Sequence, residues 1–307
     1  MGMRIMTTGG RGFIGSHFVE TCLKKGNQIV GVDCMTYAGK YSNMSSFIDK
    51  IKFYEENICN FLKMKEIIEN NNIDTIFNFA AETHVDNSIA SSEEFIRSNI
   101  IGVKSLLESC RLTGTRFIQI STDEVYGSIP FGSFDENSRL NPRNPYSATK
   151  ASAEHLVNAY FETHGVNFKI VRMSNNFGPR QDGEKFLPTI IKSIKNNSKI
   201  PVYGDGSNVR DWLYVKDGSD IIYTIFEKGD DGQIYNVTYN NEMTNLELIK
   251  SVTSVMGVDF NSCVEFVEDR PGHDFRYSIK NEKIRKLGIQ PATSFTHSLR
   301  ETINEQR

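Results

Sequence analysis

The sequence has little of what marks a secreted, membrane-bound or nucleic-acid-binding chain. Its 307 residues hold five cysteines, at positions 22, 34, 59, 110 and 263. The number is odd and no C-x-x-C pair occurs, so neither a disulfide framework nor a metal site is expected. The thiols read as reduced and mostly buried small hydrophobes. No apolar run approaches the ~18 residues that a bilayer crossing needs. Basic tracts are missing too, and a formal charge of −3 with pI ≈ 6.1 offers nothing for phosphate-driven binding of nucleic acid. The opening MGMRIMTTGG turns straight into a strand-like segment, leaving no room for a charged and then apolar leader. The cytoplasm is therefore the expected compartment. With Gly 23 and Pro 8, collagen-like and low-complexity classes are excluded.

What is present suits one large or two intimate globular domains: 38% hydrophobic and 24% charged residues. The first half alternates short apolar runs with amphipathic stretches. Strands are predicted over 4–8, 28–32, 75–79, 116–121 and 168–172, and helices over 15–25, 64–70, 95–112 and 148–163. Such alternation implies βαβ units and a doubly wound parallel α/β sheet of Rossmann type. Beyond Ser174 the texture changes. Gly178-Pro179, Gly204-Asp205-Gly206 and Pro271-Gly272 punctuate shorter elements, with helices predicted over 185–196 and 245–256. A smaller mixed α/β region follows from that pattern.

Three motifs carry chemistry. TTGGRGFIGS places Gly9, Gly12 and Gly15 between a strand and a helix. Glycines there permit a tight turn and close approach of a pyrophosphate, and the helix start supplies free amides. Asp33 ends the next strand, where a carboxylate accepts ribose hydroxyls and repels a 2′-phosphate, favouring NAD over NADP. A glycine-rich turn with a solvated Asp33 is the bland alternative. Tyr146 and Lys150 stand four apart at a helix start, so they share a face. The ammonium should lower the phenol's pKa and make Tyr146 a base; a chance surface pair is the alternative. STDEVYG sets Asp123 and Glu124 just past an apolar strand, where open α/β sheets bind ligands. Paired acid and base work suits them; a solvated loop is the other reading.

The blocks VDCMTYAGKYSN, AAETHVDNSI, STDEVYG, NPYSATKASAEH, SNNFGP, EKFLPTII, PVYGDGSNVRDWLYVKD and DRPGHDFRY occur in one order. From Arg4 to about Thr302 the chain resembles the dTDP-glucose 4,6-dehydratase family of extended short-chain dehydrogenases/reductases. The resemblance implies tightly held NAD and a nucleotide-sugar substrate. It implies that Tyr146 deprotonates the hexose 4-hydroxyl, Thr122 hydrogen-bonds it, Glu124 removes the C5 proton and Asp123 protonates the departing 6-hydroxyl. Lys150 would hold the nicotinamide ribose. Phe13 and Ile14 would line the pyrophosphate turn, with Asn57, Ile58, Ala80, Ala81, Thr83 and Asn176 also along the cofactor. Asn175, Glu184, Lys185, Phe186 and Asn245 would contact substrate, and Pro201 and Tyr203 would border the nucleobase. Arg210, Arg270 and His273 would face the diphosphate or its ribose. Arg210 pairing with Asp211 or Asp217, a structural His273, and Asn245 as a helix N-cap are the alternatives.

The resemblance further implies discontinuous domains: residues 1–177 and 209–239 for cofactor, 178–208 and 240–307 for the sugar nucleotide. It implies a homodimer through the helices at 95–112 and 148–163, four at the interface. Three departures stand out: Asn57 where an acid is usual, a 179–184 loop without the usual aromatic and proline residues, and no aromatic-rich tail before Arg307. They bear on the nucleobase and hexose. Dehydratases of GDP-, CDP- or UDP-sugars, a nucleotide-sugar 4-epimerase, a pentose-forming decarboxylase, a silent NAD sensor and an RNA-associated relative are the rivals. The epimerase has no use for an acid pair, the decarboxylase usually shows Ser at the Asp123 position, and a sensor commonly loses Tyr/Lys or the acids.

Overall fold

The structure, a computed structural model, describes residues 2–269, 274–290 and 292–305. Its strands are β1 (Arg4–Thr8), β2 (Gln28–Asp33), β3 (Lys52–Glu55), β4 (Thr75–Asn78), β5 (Arg116–Thr122), β6 (Phe168–Met173), β7 (Asn175–Phe177), β8 (Ile200–Tyr203), β9 (Val209–Tyr214), β10 (Gln233–Val237), β11 (Glu242–Thr244) and β12 (Val264–Val267). The helices that matter below are α1 (Phe13–Lys24), α2 (Phe61–Asn71), α3 (Val85–Ala90), α4 (Glu93–Ile96), α5 (Val103–Thr113), α6 (Pro145–His164), α7 (Phe186–Lys195), α8 (Val215–Lys228) and α9 (Asn245–Met256).

Seven strands form one parallel sheet in the order β10-β6-β5-β4-β1-β2-β3. The period-2 alternation of its strands sends neighbours to opposite faces. Ile5, Phe77 and Ile118 join α1 and α8 through Phe18, Cys22, Ile222 and Phe226. Met6, Ile76 and Phe117 join α2, α5 and α6 through Met64, Leu107, Ala153 and Val157. Each of the Ile, Leu, Val, Phe and Met side chains among them, fully buried, contributes about 1.5–3 kcal/mol. Both faces are thus covered, as a parallel sheet requires. The strand order reverses between β1 and β4, which opens a crevice at their carboxyl ends.

The smaller region carries a three-stranded sheet, β11-β9-β7, and the parallel pair β12-β8. Leu187, Ile190, Ile200, Trp212, Leu248 and Leu299 build its separate core. No helix among the described residues is long and apolar enough to cross a membrane.

Two expectations need correction. The helix predicted over 95–112 runs on unbroken from Glu93 to Thr113, but not as a regular α-helix: α4 and α5 flank a wider π-helical stretch at Arg97–Gly102. Gly102 lies so close to Ile58 that a Cβ would stand 2.4 Å from its Cδ1. The turn swings Asn99 inward, where its amide donates to the Glu82 carbonyl at 3.0 Å and accepts from the Glu82 amide at 2.9 Å. Of the five thiols, only Cys22 and Cys110 are buried; Cys34 is exposed and Cys59 and Cys263 are intermediate.

Candidate active site

The crevice at the switch point is floored by the glycine turn. Gly9 takes φ +68°, and a Cβ there would stand 2.6 Å from the Ala80 nitrogen. At Gly15 a Cβ would meet the Gly9 carbonyl at 2.3 Å. Gly12 caps α1 with no side chain, so the first-turn amides at Phe13, Ile14 and Gly15 have no capping acceptor. Asp33, at the end of β2, accepts from the Arg11 amide at 3.0 Å and the Met35 amide at 3.1 Å. Burial pushes its pKa up. Fixed carboxylate oxygens still have lone pairs for ribose hydroxyls. A cradle that only glycine fits, free amides and a sealed carboxylate together suit a dinucleotide such as NAD.

Other cofactor-side candidates divide. Ala80 and Ala81 follow β4 into the same crevice, half-buried. The Thr83 carbonyl accepts from Lys185 Nζ at 3.0 Å. Asn176 donates to the Ser174 carbonyl, and its Oδ1 is buried without a partner among the described residues. Asn57 spends its Oδ1 on the Cys59 amide at 2.8 Å, and Ile58 belongs to the core. Arg11, which sequence reasoning passed over inside the glycine motif, is buried beside Asp33. Its guanidinium lies 4.0 Å from the centre of the Tyr41 ring and 3.7 Å from that of Phe53.

A second cavity, of about 460 Å³, lies between the end of β5 and the smaller region. Thr83, Glu124, Asn175, Glu184, Lys185, Phe186, Pro201, Tyr203, Arg210 and Asn245 all line it. Distant segments thus supply one wall each. Glu184 is held by His84 Nε2 at 3.0 Å. Asn175 Oδ1 is buried without a partner among the described residues. The cap of α9 is Thr244, in a capping box with Glu247, so Asn245 is not the N-cap. Arg210 pairs with neither Asp211 nor Asp217. Its guanidinium donates to the carbonyls of Val209 at 2.7 Å, Asp274 at 2.9 Å and Phe275 at 3.3 Å. Asp211 instead takes the Thr238 hydroxyl and the Asn241 amide, and Asp217 takes Thr293. Arg270 and His273 lie outside the described residues.

The chemistry converges at the end of β5. Thr122 Oγ1 accepts from the Glu124 amide and donates to Asp123 Oδ1, both at 3.2 Å. Asp123 is 3% exposed and its Oδ2 is buried without a partner among the described residues. Burial first, then Glu124 and Asp211, hold its pKa well above the usual range. Glu124 is raised by burial, while Arg210, Asn144 and Lys185 favour its charged form. The two acids are therefore pushed apart, Asp123 towards the neutral form. Tyr146 and Lys150 follow from the cap of α6: Asn144 accepts from the Ser147 amide at 2.8 Å and Pro145 opens the helix. Asn144, another residue sequence reasoning missed, also donates to Glu124 at 3.4 Å. An Asn-Pro pair ahead of the tyrosine is the signal that could have found it.

The expected lowering of the Tyr146 pKa by Lys150 is corrected. Lys150 Nζ donates to the Ile120 carbonyl at 2.6 Å, and burial lowers its pKa to about 8. Burial and then Glu124 push Tyr146 up, opposed by the Thr122 hydroxyl. The phenol is neutral at rest.

Comparison with known proteins is consistent along the whole chain. The family model described as GDP-mannose 4,6 dehydratase matches residues 6–302. The low-salt glycan biosynthesis protein Agl12 of Haloferax volcanii is 44% identical, over 97% of this chain and 96% of its own. A dTDP-glucose 4,6-dehydratase of Streptomyces niveus is 41% identical, over 99% and 93%. The crystal structure of DesIV, a dTDP-glucose 4,6-dehydratase from Streptomyces venezuelae with NAD and TYD bound, superposes with TM-score 0.95. It is 38% identical, with 99% of this chain and 96% of that one covered.

Proposed function

The chain belongs to the family described as GDP-mannose 4,6 dehydratase, and from that premise we propose that it removes water from a nucleoside diphosphate hexose, dTDP-glucose first among the candidates. The product is the 4-keto-6-deoxy sugar nucleotide. One observation carries this reading: two adjacent carboxylates with different surroundings, Asp123 sealed and Glu124 on the cavity wall. Elimination needs one acid and one base. Epimerisation at C4 needs only Tyr146, Lys150 and the Thr122 hydroxyl.

When bound, NAD supplies the two-electron acceptor for C4 and donor for C6, and its cationic ring adds the positive charge missing around Tyr146. Gly9, Gly12, Phe13, Ile14 and Gly15 would hold its pyrophosphate, Asp33 its adenosine ribose and Lys150 the other ribose. Tyr146, having first released its own proton to water, takes the 4-hydroxyl proton as the phenolate while Thr122 fixes that hydroxyl. The 4-ketone acidifies C5, and Glu124 takes the C5 proton. Asp123, kept protonated by burial, gives its proton to the leaving 6-hydroxyl. Glu124 lines the open cavity, so its carboxyl exchanges with water before it delivers a proton to C5 as C6 is reduced. The proton Tyr146 gained balances the one Asp123 lost, so the net change is one water. Lys185 and Arg210 bring positive charge to the cavity that a diphosphate needs, and Pro201 and Tyr203 offer a flat border for a base.

We place the reaction in the cytoplasm, where five free thiols stay reduced. A homodimer fits the apolar side chains exposed on α4 to α6, Ile96, Ile101, Leu112 and Phe161 among them. The large sheet with 1–177 and 209–239 would serve the cofactor, and the remainder the sugar nucleotide. The experiment is a mass-spectrometric screen with dTDP-, UDP-, GDP- and CDP-glucose and UDP-N-acetylglucosamine. Loss of one water from dTDP-glucose alone is expected. Loss from another sugar moves the nucleobase assignment; isomerisation with no loss overturns the dehydratase.

A further inference from the structure

A buried ion pair that the reaction above leaves unused holds the acid–base turn at both ends. Glu154 on α6 is 1% exposed and Arg172 on β6 is 3% exposed. Arg172 Nη2 donates to Glu154 Oε2 at 2.5 Å, and Nε spans both oxygens at 3.0 and 3.1 Å. Burying two charges costs several kcal/mol per ion, and well-packed apolar side chains often fill such space as stably. What else the pair bonds explains its presence.

Both partners reach the same segment. Ser121 Oγ donates to Glu154 Oε1 at 2.5 Å. Arg172 Nη1 donates to the Tyr126 hydroxyl at 2.5 Å, and the guanidinium lies 4.7 Å from that ring's centre. Tyr126 donates onward to Asn236 Oδ1 at 2.8 Å on β10. Ser121 precedes Thr122, and Tyr126 follows Glu124 by two residues. Thr122, Asp123 and Glu124 are therefore strung between two points fixed to one ion pair. Glu154 also stands one helical turn beyond Lys150, on the same face. Arg172, Tyr126 and Lys150 are the charged or titratable groups bonded to it or beside it. Arg139 and His155 line a separate cavity of about 360 Å³ with the pair.

We infer that Glu154 is a positioning residue: clamped to Arg172 and bonded to Ser121, it fixes the 121–126 turn so that Thr122, Asp123 and Glu124 meet the hexose in register. The inference rests on the dehydratase reading. Its negative charge opposes the burial that draws Lys150 down to about 8.

The test compares wild type with Ser121→Ala, Glu154→Asp and Glu154→Gln by kcat, KM, pH profile and thermal unfolding. Misplacing a reacting group by about an ångström costs about a hundredfold. Glu154→Gln should lose about that in kcat with little change in KM, Glu154→Asp should recover much of it, and Ser121→Ala should lose about tenfold. In Glu154→Gln the alkaline limb of kcat/KM, set by the Lys150 proton, should move to lower pH. It should stay in place in Ser121→Ala. Glutamine leaves the buried guanidinium unpaired; if that variant does not fold, Ser121→Ala decides, because it spares the ion pair. A kcat within twofold of wild type in Ser121→Ala overturns the inference, as does a Glu154→Gln loss with the limb unmoved. A wild type that releases no water from any nucleotide sugar overturns the dehydratase reading, and the inference with it.

Discussion

Asp123 and Glu124 are neighbours in sequence, yet a single substitution should separate their tasks. Asp123→Asn keeps the shape and removes the proton to be donated. C4 oxidation should persist, seen as a reduced-nicotinamide absorbance, while water release slows by about 10²–10⁴-fold. Equal loss of both steps in a stopped-flow trace contradicts the assignment. Glu124→Gln should show the same split, because the C5 proton has nowhere to go. The identities of these side chains were legible in STDEVYG. Their order of acidity was not, because it is set by burial together with Arg210, which arrives from β9, and Asp211 beside it. The Tyr146–Lys150 spacing was legible, but its electrostatics were misread. A shared helical face says nothing about the Ile120 carbonyl, which takes the Lys150 ammonium. Gly9→Ala offers a further check at this scale. Its positive φ and the close Ala80 nitrogen leave no room for a methyl, so affinity for NAD should fall at least about tenfold by isothermal titration.

Elements carry the site to its place, and α1 shows how. His17 on that helix is 2% exposed and its Nε2 meets the Pro179 carbonyl at 3.0 Å. It ties the cofactor helix to the loop that leads into α7. Burial lowers its pKa from 6.5 to about 4. Between those values the unfolded chain binds the proton and the folded chain does not. Stability is therefore lost as pH falls from 6.5 towards 4, by on the order of 3 kcal/mol from this group. Urea unfolding at pH 7 and at pH 4.5 should show the loss, reduced in His17→Gln; an unchanged pH dependence in that variant contradicts the role. Strand positions were legible because both faces of a parallel sheet are apolar and strands end at glycine turns. The π turn at 97–102 was not, since it follows from the fit of Gly102 on Ile58 and of Asn99 on Glu82. α6 starts at Pro145, ahead of the 148 that apolar periodicity alone predicts, because Asn144 caps it and proline suits its first turn.

At the scale of the molecule, two sheets' worth of chain meet around one cavity, and the wall residues come from segments far apart in sequence. Family blocks in order made that wall legible in advance; spacing alone could not have joined Lys185, Pro201 and Arg210. The apolar side chains left exposed on α4 to α6 should be covered by a second copy. Light scattering should give a dimer for wild type and a monomer for Ile101→Lys; a monomeric wild type contradicts that surface's role. The central claim, acid–base elimination across C5 and C6, is tested most directly by running the reaction with dTDP-glucose in D₂O and weighing the product. Proton return to C5 through Glu124 predicts a product lighter by one water and carrying one solvent deuterium at C5. A product of unchanged mass without deuterium, a C4 epimer, would contradict it.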